Sequence, residues 1–173
     1  VKGGVIPNQF IPAVRKGVEQ VLTSGPLAGY PMQDVKVTVY DGKHHPVDSK
    51  EVAFVAAGRK AFLDAISKAH PIVLEPVVSL EVVCPEAHIG DITGDLSARR
   101  GQVTGTLGLR LGTLAVTGMV PLSEVEDYGS RLKAMTGGHG SYGLTLSHYD
   151  PAPPALQQQL AAEHRQHRVE EEE

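Results

Sequence analysis

The sequence is poor in cysteine and in aromatic residues. It contains one cysteine, Cys84, and no tryptophan, and only 5% of its 173 residues are aromatic. A single cysteine excludes an internal disulfide and a cysteine-based zinc site, and it fits a reducing compartment, so we expect a cytoplasmic protein. With so few aromatic rings, the hydrophobic core must be built mainly from Val, Leu, Ile and Ala side chains.

Long apolar runs are also missing. No segment approaches the roughly 18 consecutive apolar residues that a membrane-spanning helix needs. The start, Val1-Lys2-Gly3-Gly4, is not followed by the apolar region of a signal peptide. We therefore expect no membrane partner. The content of 41% hydrophobic and 21% charged residues is typical of a folded chain with one or two domains.

The net charge of −4 is distributed unevenly along the chain. Residues 1–74 carry nine basic and six acidic side chains, residues 75–150 carry five and nine, and residues 151–173 carry two and five. No part is basic enough to indicate nucleic-acid binding by charge alone.

The first half predicts two helices and one strand. Apolar residues at helical spacing predict a helix over 11–23, and strict alternation predicts a strand over Val35–Tyr40. Asp48 and Glu51 have the spacing of a capping box that opens a second helix, which continues to about Lys68. Two helices cannot bury their faces on one strand. Either the two helices pack on each other alone, or partner strands lie upstream of Val1, and we favour the second alternative.

The second half predicts a complete βαββαβ unit, which is the split-βαβ ferredoxin-like arrangement. Its elements in order are a strand over 78–83, a helix ending near Arg100, strands over 102–107 and 113–120, a helix after Pro121 and a strand around 142–146. A last helix is predicted over about 155–166, after a proline-rich stretch.

Catalytic chemistry finds little support in the sequence. The pattern Gly-x4-Gly-Lys-Ser/Thr of a phosphate-binding loop is absent. The glycine-rich stretch Thr136–Gly140 follows a helix C-terminus, which presents carbonyl oxygens and disfavours phosphate, so we interpret it as a turn. Cys84 is expected to be a small core residue. We therefore expect no catalytic residue and no enzymatic activity in this chain.

Two clusters remain as candidates for binding. His44 and His45 are adjacent on an extended loop, where neighbouring side chains usually point apart. Asp41 and Asp48 are the candidate further metal ligands, but Asp48 is better used as a helix cap, so we expect an exposed contact loop and no metal site. Arg99 and Arg100 stand at a helix end, where they either complement the helix dipole or contact RNA phosphates. The sequence leaves both readings of the arginine pair open.

A series of short motifs resembles the C-terminal part of bacterial elongation factor G. In chain order they are Gly3-Gly-Val-Ile-Pro7, Leu27-Ala-Gly-Tyr-Pro31, Val37-Thr-Val-Tyr-Asp-Gly42, His45 with Val47-Asp-Ser49, Leu74-Glu-Pro76, Gly90-Asp91, Gly94-Asp-Leu96, Arg99-Arg-Gly101, Val120-Pro-Leu122 and Ser147-His-Tyr149. Their common order over most of the chain makes the resemblance specific.

The resemblance implies an α+β fold. Residues 1–75 would be domain four of the family, a partial S5-like α/β domain whose first strands lie upstream. Residues 76–150 would be domain five, a ferredoxin-like βαββαβ domain. Residues 151–173 would form a C-terminal helix and an acidic tail.

The resemblance also implies a function in protein synthesis. The family is a ribosomal translocase driven by N-terminal GTPase domains, so GTP and Mg²⁺ would belong to the parent protein and no cofactor to this part. Domain four would reach the decoding site of the small subunit, and domain five would lie near large-subunit rRNA. The ribosome-contacting tip would comprise Asp41, Gly42, Lys43, His44 and His45, with Arg99 and Arg100 as further rRNA contacts.

Some motifs depart from the family pattern. Asp41-Gly-Lys-His-His45 stands where Asp-Gly-Ser-Tyr-His is usual, and Thr136-Gly-Gly-His-Gly140 replaces Thr-Gln-Gly-Arg-Gly. These differences indicate a divergent paralogue. The rival hypothesis is a stand-alone ferredoxin-like binding or acylphosphatase-like module. Its phosphate loop would be Cys84–Ala87, which is acidic and lacks arginine, and this disfavours the rival.

Overall fold

The structure, a computed structural model, describes residues 5–45, 47 and 49–172, and it divides into two compact units. Unit 1 comprises Val1–Val73 and Ala152–Glu173, and unit 2 comprises Leu74–Pro151. The C-terminal segment, which the sequence suggests as a separate region, therefore groups with the first unit.

Unit 1 contains the two helices predicted in the first half of the sequence. Helix α1 spans Ile11–Ser24 and helix α2 spans Glu51–Lys68. Pro12 lies in the first turn of α1, where its missing N–H has no intrahelical partner to lose. The apolar faces of the helices meet in two clusters of buried residues, Ile6, Ala13, Val14 and Phe54 in one and Val18, Val21, Phe62 and Ile66 in the other.

Helices α1 and α2 approach each other closely at two glycines. A Cβ atom at Gly17 would collide with the carbonyl oxygen of Val55. A Cβ atom at Gly58 would lie 2.7 Å from the carbonyl oxygen of Val14. Glycine is required at both positions because the opposing backbone occupies the space of a side chain.

The prediction of a strand over Val35–Tyr40 is wrong for the described residues, since this segment has no strand assignment. Val39 packs against the cluster around Ile6, whereas Val35 and Val37 remain exposed. The alternating pattern selects an apolar face, but a strand also needs a neighbour for its backbone N–H and C=O groups. No described segment of the chain provides that neighbour.

The start of α2 also differs from the prediction. Lys50 is the N-cap residue and makes no side-chain capping hydrogen bond, and Glu51 is the first residue of the helix. Glu51 therefore does not occupy the third helical position that a capping box requires. Asp48, the predicted cap, lies outside the described residues.

Unit 2 confirms the predicted βαββαβ order. Its elements are β1 (Leu74–Pro85), α3 (Ile89–Ala98), β2 (Gln102–Gly108), β3 (Thr113–Pro121), α4 (Tyr128–Thr136) and β4 (Ser141–Pro151). The strands form one antiparallel sheet in the order β2-β3-β1-β4. Helix α3 connects β1 to β2 and helix α4 connects β3 to β4, and in both cases the two strands are separated by another strand of the sheet. Strands β2 and β3 are neighbours joined by a short turn, as expected for a split βαβ fold.

The core of unit 2 lies between the two helices and one face of the sheet. Alternate residues of β1, including Leu80 and Val82, pack against Ile92 and Leu96 of α3 and Leu132 of α4. Strand β4 lies at an edge of the sheet, and all of its residues are exposed. The buried centre therefore depends on β1 and β3 together with the helices.

Helix α5 (Pro154–Glu172) belongs to unit 1. Gln157 attaches its first turn: Val73 N–H donates to Gln157 Oε1 at 3.0 Å, and Gln157 Nε2 donates to Ala152 O at 2.7 Å. His164, two turns further on, lies against Gly29, whose φ of 77° favours glycine. Among the described helices, none combines the length and the apolar character needed to span a lipid bilayer.

Candidate functional site

The loop Asp41–His45 in unit 1, called the tip loop below, is held in place at its base by the segment before α1. Gly42 packs so closely on Ile6 that a Cβ atom would collide with the Ile6 side chain. His44 Nδ1 lies 2.7 Å from the carbonyl oxygen of Val5. Because a carbonyl oxygen only accepts hydrogen bonds, Nδ1 of His44 carries the proton. The tip loop is thus anchored through residues distant in sequence.

His45 lies at the end of the tip loop and is exposed. Its backbone N–H donates to Ser49 Oγ at 2.9 Å, and Ser49 N–H donates to the carbonyl oxygen of His45 at 3.2 Å. Val47 N–H donates to His45 Nδ1 at 3.4 Å, so that nitrogen acts as an acceptor and the neutral ring carries its proton on Nε2. These bonds fix the backbone of His45 while its ring stays accessible to solvent.

The tip loop carries one acidic side chain, one lysine and two imidazoles. Asp41 Oδ1 accepts from Gly42 N–H at 2.7 Å. Lys43 is exposed and makes no ion pair within the described residues. The loop therefore presents a cationic and imidazole-bearing surface that is suited to phosphate and base contacts.

Arg100 is engaged within unit 2. Its guanidinium donates to both carboxylate oxygens of Glu75, at 2.7 and 2.9 Å, and to Glu124 at 2.8 Å. The hydrogen bond with Glu75 is the main cause of a raised pKa for Arg100. Because Glu75 lies in β1 and Glu124 lies before α4, this arginine connects three elements.

Arg99 is engaged in the same way. It donates to Asp95 at 2.9 Å, to Asp127 at 2.8 Å and to the carbonyl oxygen of Glu124. The hydrogen bond from Arg99 lowers the pKa of Asp127. The guanidinium also lies over the Tyr128 ring, 5.6 Å from its centroid. Of the two readings left open by the sequence, these contacts favour the structural one.

The loops considered for phosphate chemistry use their backbone amides internally. Glu86 N–H, in the Cys84–Ala87 loop, donates to the carbonyl oxygen of Gly112 at 3.0 Å. In the glycine-rich turn after α4, Gly138 N–H donates to Lys133 O and His139 N–H donates to Thr136 O. These bonded amides are not available to a phosphate.

Cys84 is a fully buried core residue, as predicted from the sequence, and burial raises the pKa of its thiol. A raised pKa leaves less of the thiol as thiolate, and because the thiolate is the nucleophilic form, we expect Cys84 to be unreactive. Within the described part of the chain, no three histidine, cysteine, aspartate or glutamate side chains gather as metal ligands.

Sequence reasoning missed an exposed apolar loop in unit 2. The end of β2 and the turn to β3 present leucines at positions 107, 109 and 111 to solvent. The alternating Leu-x-Leu-x-Leu pattern was the available signal, but alternation of this kind is also typical of a half-buried strand.

Comparisons with known proteins relate both units to one family. Residues 1–70 match the family model described as "Elongation factor G, domain IV", and residues 72–160 match the model described as "Elongation factor G C-terminus". A crystal structure of a protein from Thermus thermophilus is similar, with a TM-score of 0.82 and 40% sequence identity. That likeness covers 95% of this chain and 25% of the other, so this chain spans about a quarter of the length of that solved protein.

Proposed function

Since this chain belongs to the elongation factor G family, we propose that it contacts the ribosome and acts in the translocation of tRNA and mRNA during protein synthesis. The observation that carries the proposal is the order of the matched regions, a domain IV model over residues 1–70 followed by a C-terminus model over residues 72–160. Two adjacent regions of one factor, in the order found in that factor, favour a shared role over a stand-alone module.

The tip loop is the proposed contact with the decoding site of the small subunit. Lys43 and His45 are exposed there on a backbone that hydrogen bonds hold in place. A fixed loop loses little conformational entropy on binding, which supports a contact role. Unit 2 is the proposed contact with large-subunit rRNA, although the ion pairs of Arg99 and Arg100 support a structural role for these two residues.

The chain itself is proposed to have no enzymatic activity. GTP and Mg²⁺ would be bound by N-terminal GTPase domains of the natural protein, which would also be its partners within the same polypeptide. The unusual tip sequence Asp41-Gly-Lys-His-His45 supports a divergent paralogue of the main translocase.

The substitution His45→Ala in the full-length natural protein tests the proposal. Because the His45 ring is exposed, the free energy of unfolding should change by less than about 0.5 kcal/mol. The rate of ribosome-dependent mRNA movement should fall if the ring contacts the ribosome. Thermal unfolding and a translocation assay with purified ribosomes measure the two effects.

His70→Asn is the matched control, since it removes another exposed imidazole of unit 1, and asparagine tolerates the left-handed φ of 52° at this position. The control should keep the translocation rate of the natural protein. An unchanged rate for His45→Ala, or a loss of activity that only follows a loss of stability, would show that His45 merely completes a local turn.

A further inference from the structure

The hairpin tip of unit 2, residues Leu107–Gly112 at the end of β2 and in the turn to β3, exposes three leucines. The exposed fractions are 64% for Leu107, 43% for Leu109 and 99% for Leu111. Single exposed leucines are common on protein surfaces, but three within five residues at a protruding turn form a concentrated apolar surface. Exposure of these leucines to water is unfavourable, and exposed apolar surfaces of this kind are typical of binding sites.

Leu111 also carries conformational strain. Its φ is 62°, in the left-handed region where leucine is disfavoured, and Gly112 follows with a φ of 70°. Asparagine or glycine would occupy position 111 at lower cost and would not expose an apolar side chain. Strain combined with nearly complete exposure indicates that the leucine side chain itself is used.

Hydrogen bonds hold the hairpin tip in one conformation. Leu109 N–H donates to the carbonyl oxygen of Thr113 at 2.8 Å, and Thr113 Oγ1 donates to the carbonyl oxygen of Arg110 at 2.7 Å. Glu86 N–H donates to the carbonyl oxygen of Gly112 at 3.0 Å, which ties the tip to the end of β1. A preorganised apolar projection binds a pocket with little loss of entropy.

The charged residues near the hairpin tip indicate which class of partner it can bind. Arg110 makes no ion pair among the described residues, whereas Arg99, Arg100 and Arg131 are all paired with acids of unit 2. Unit 2 as a whole carries nine acidic and five basic residues. At the hairpin tip itself, one arginine among three leucines offers few contacts to phosphates, which disfavours RNA and anionic membranes as partners of this turn.

We propose that the hairpin tip inserts Leu109 and Leu111 into a hydrophobic pocket of a ribosomal protein, with a carboxylate at the rim of the pocket pairing with Arg110. This inference rests on the proposed ribosome contact, and it identifies protein, not rRNA, as the surface that this hairpin recognises. The pocket would shield the leucines from water, and the carboxylate would provide the ion partner that Arg110 lacks among the described residues of unit 2.

Site-specific photocrosslinking tests the proposal directly. A diazirine analogue of leucine is placed at position 111 of the full-length natural protein, which is then bound to purified ribosomes and irradiated. The expected product is a covalent adduct with a ribosomal protein. Crosslinking to rRNA, crosslinking to a second copy of the chain, or no crosslink despite normal ribosome binding would each overturn the proposal.

Affinity measurements provide an independent test. Leu111→Asn removes the apolar side chain and suits the left-handed φ, so the fold should be retained, and ribosome affinity should fall roughly tenfold if a leucine is buried on binding. The matched control, Ile72→Asn, replaces an exposed apolar residue outside unit 2 and should bind as the natural protein does.

The affinity results separate this inference from the function on which it rests. Equal affinities for the natural protein and Leu111→Asn would refute the inference while leaving ribosome binding intact. A natural protein that does not bind ribosomes at all would refute both. A larger loss of affinity for Arg110→Gln than for Leu111→Asn would show that charge, and not leucine burial, dominates the contact, and it would overturn the inference.

Discussion

Tyr128 is the residue whose polar group is least well satisfied. Its hydroxyl is the buried side-chain polar atom that lacks a hydrogen-bond partner within the described residues. The ring is well accommodated: it is fully buried, packs edge-on against Tyr142 with 5.3 Å between centroids, and lies below the Arg99 guanidinium. The aromatic ring therefore stabilises the core of unit 2, while the hydroxyl opposes its own burial.

We expect Tyr128→Phe to stabilise unit 2. The variant keeps the ring and removes an oxygen that loses its hydrogen bonds to water on folding, so the free energy of unfolding should rise by about 1 kcal/mol. Urea denaturation monitored on unit 2 measures the change. Tyr142→Phe, at an exposed position, is the control and should stay within about 0.5 kcal/mol of the natural protein.

The pH dependence of the same variant provides a second readout. Burial raises the pKa of Tyr128 from 10.0 to about 12. The unfolded chain therefore releases this proton at lower pH than the folded chain, and the stability linked to Tyr128 is lost as the pH rises from about 10 to about 12. Tyr128→Phe should lose less stability over this range. Parallel stability curves for both proteins would contradict the burial of the hydroxyl.

At the scale of elements, the contact between α1 and α2 depends on glycine. Gly17→Ala would drive a methyl group into the backbone of α2 at Val55, and the helices would have to separate. We expect a loss of about 2 kcal/mol in the free energy of unfolding, a typical cost of overpacking. Thermal or urea unfolding measures it.

Gly94→Ala is the matched control, because Gly94 lies within α3 and a Cβ atom added there would have no heavy atom within 4 Å. There the methyl group meets open space, and the higher helix propensity of alanine should stabilise unit 2 by up to about 1 kcal/mol. Similar effects for the two glycines would show that helix propensity alone, and not the close approach of α1 and α2, governs these positions.

The segment Val35–Tyr40 and strand β1 should differ in hydrogen exchange. The segment Val78–Val82 lies between two neighbouring strands, β3 and β4, and its backbone groups are hydrogen-bonded to them. The 35–40 segment belongs to no sheet in the described structure. Amides without a ladder partner open at little cost, so we expect exchange over 35–40 to be faster by orders of magnitude. Mass-spectrometric exchange on the monomeric chain resolves both segments, and equal protection would mean that 35–40 pairs with another strand.

At the scale of the whole molecule, the chain should not bind GTP. Its sequence lacks the pattern of a phosphate-binding loop, and in its glycine-rich turn Gly138 N–H and His139 N–H donate to Lys133 O and Thr136 O. Titration calorimetry of residues 1–173 with GTP and Mg²⁺ should give no binding heat at micromolar concentrations. The full-length natural protein is the comparison, and it should bind if GTPase domains lie elsewhere in the polypeptide. Micromolar binding by residues 1–173 would refute the assignment.

Most elements of both units could be predicted because their signals are local. Apolar periodicity and bounding turn residues are sufficient for α1 and for the βαββαβ order, since these patterns reflect which side of each element faces a core. The same local patterns failed at Val35–Tyr40, where alternation exists without a strand neighbour among the described residues. They also placed the start of α2 too early, because the capping-box spacing predicts Glu51 as the third helical residue, whereas it is the first.

The interaction partners of the charged and contact residues could not be predicted from local sequence patterns. Arg100 is hydrogen-bonded to Glu75, which is 25 residues away in the sequence. Arg99 is hydrogen-bonded to Asp127 over 28 residues, and His44 to Val5 over 39 residues. Such pairs form only when the fold brings distant segments together, and no periodicity encodes them. The amino-acid pattern alone was therefore sufficient for the type and order of most elements and for the family. Folding determined which cations are neutralised and which leucines remain in water, because both depend on distances between residues far apart in the chain.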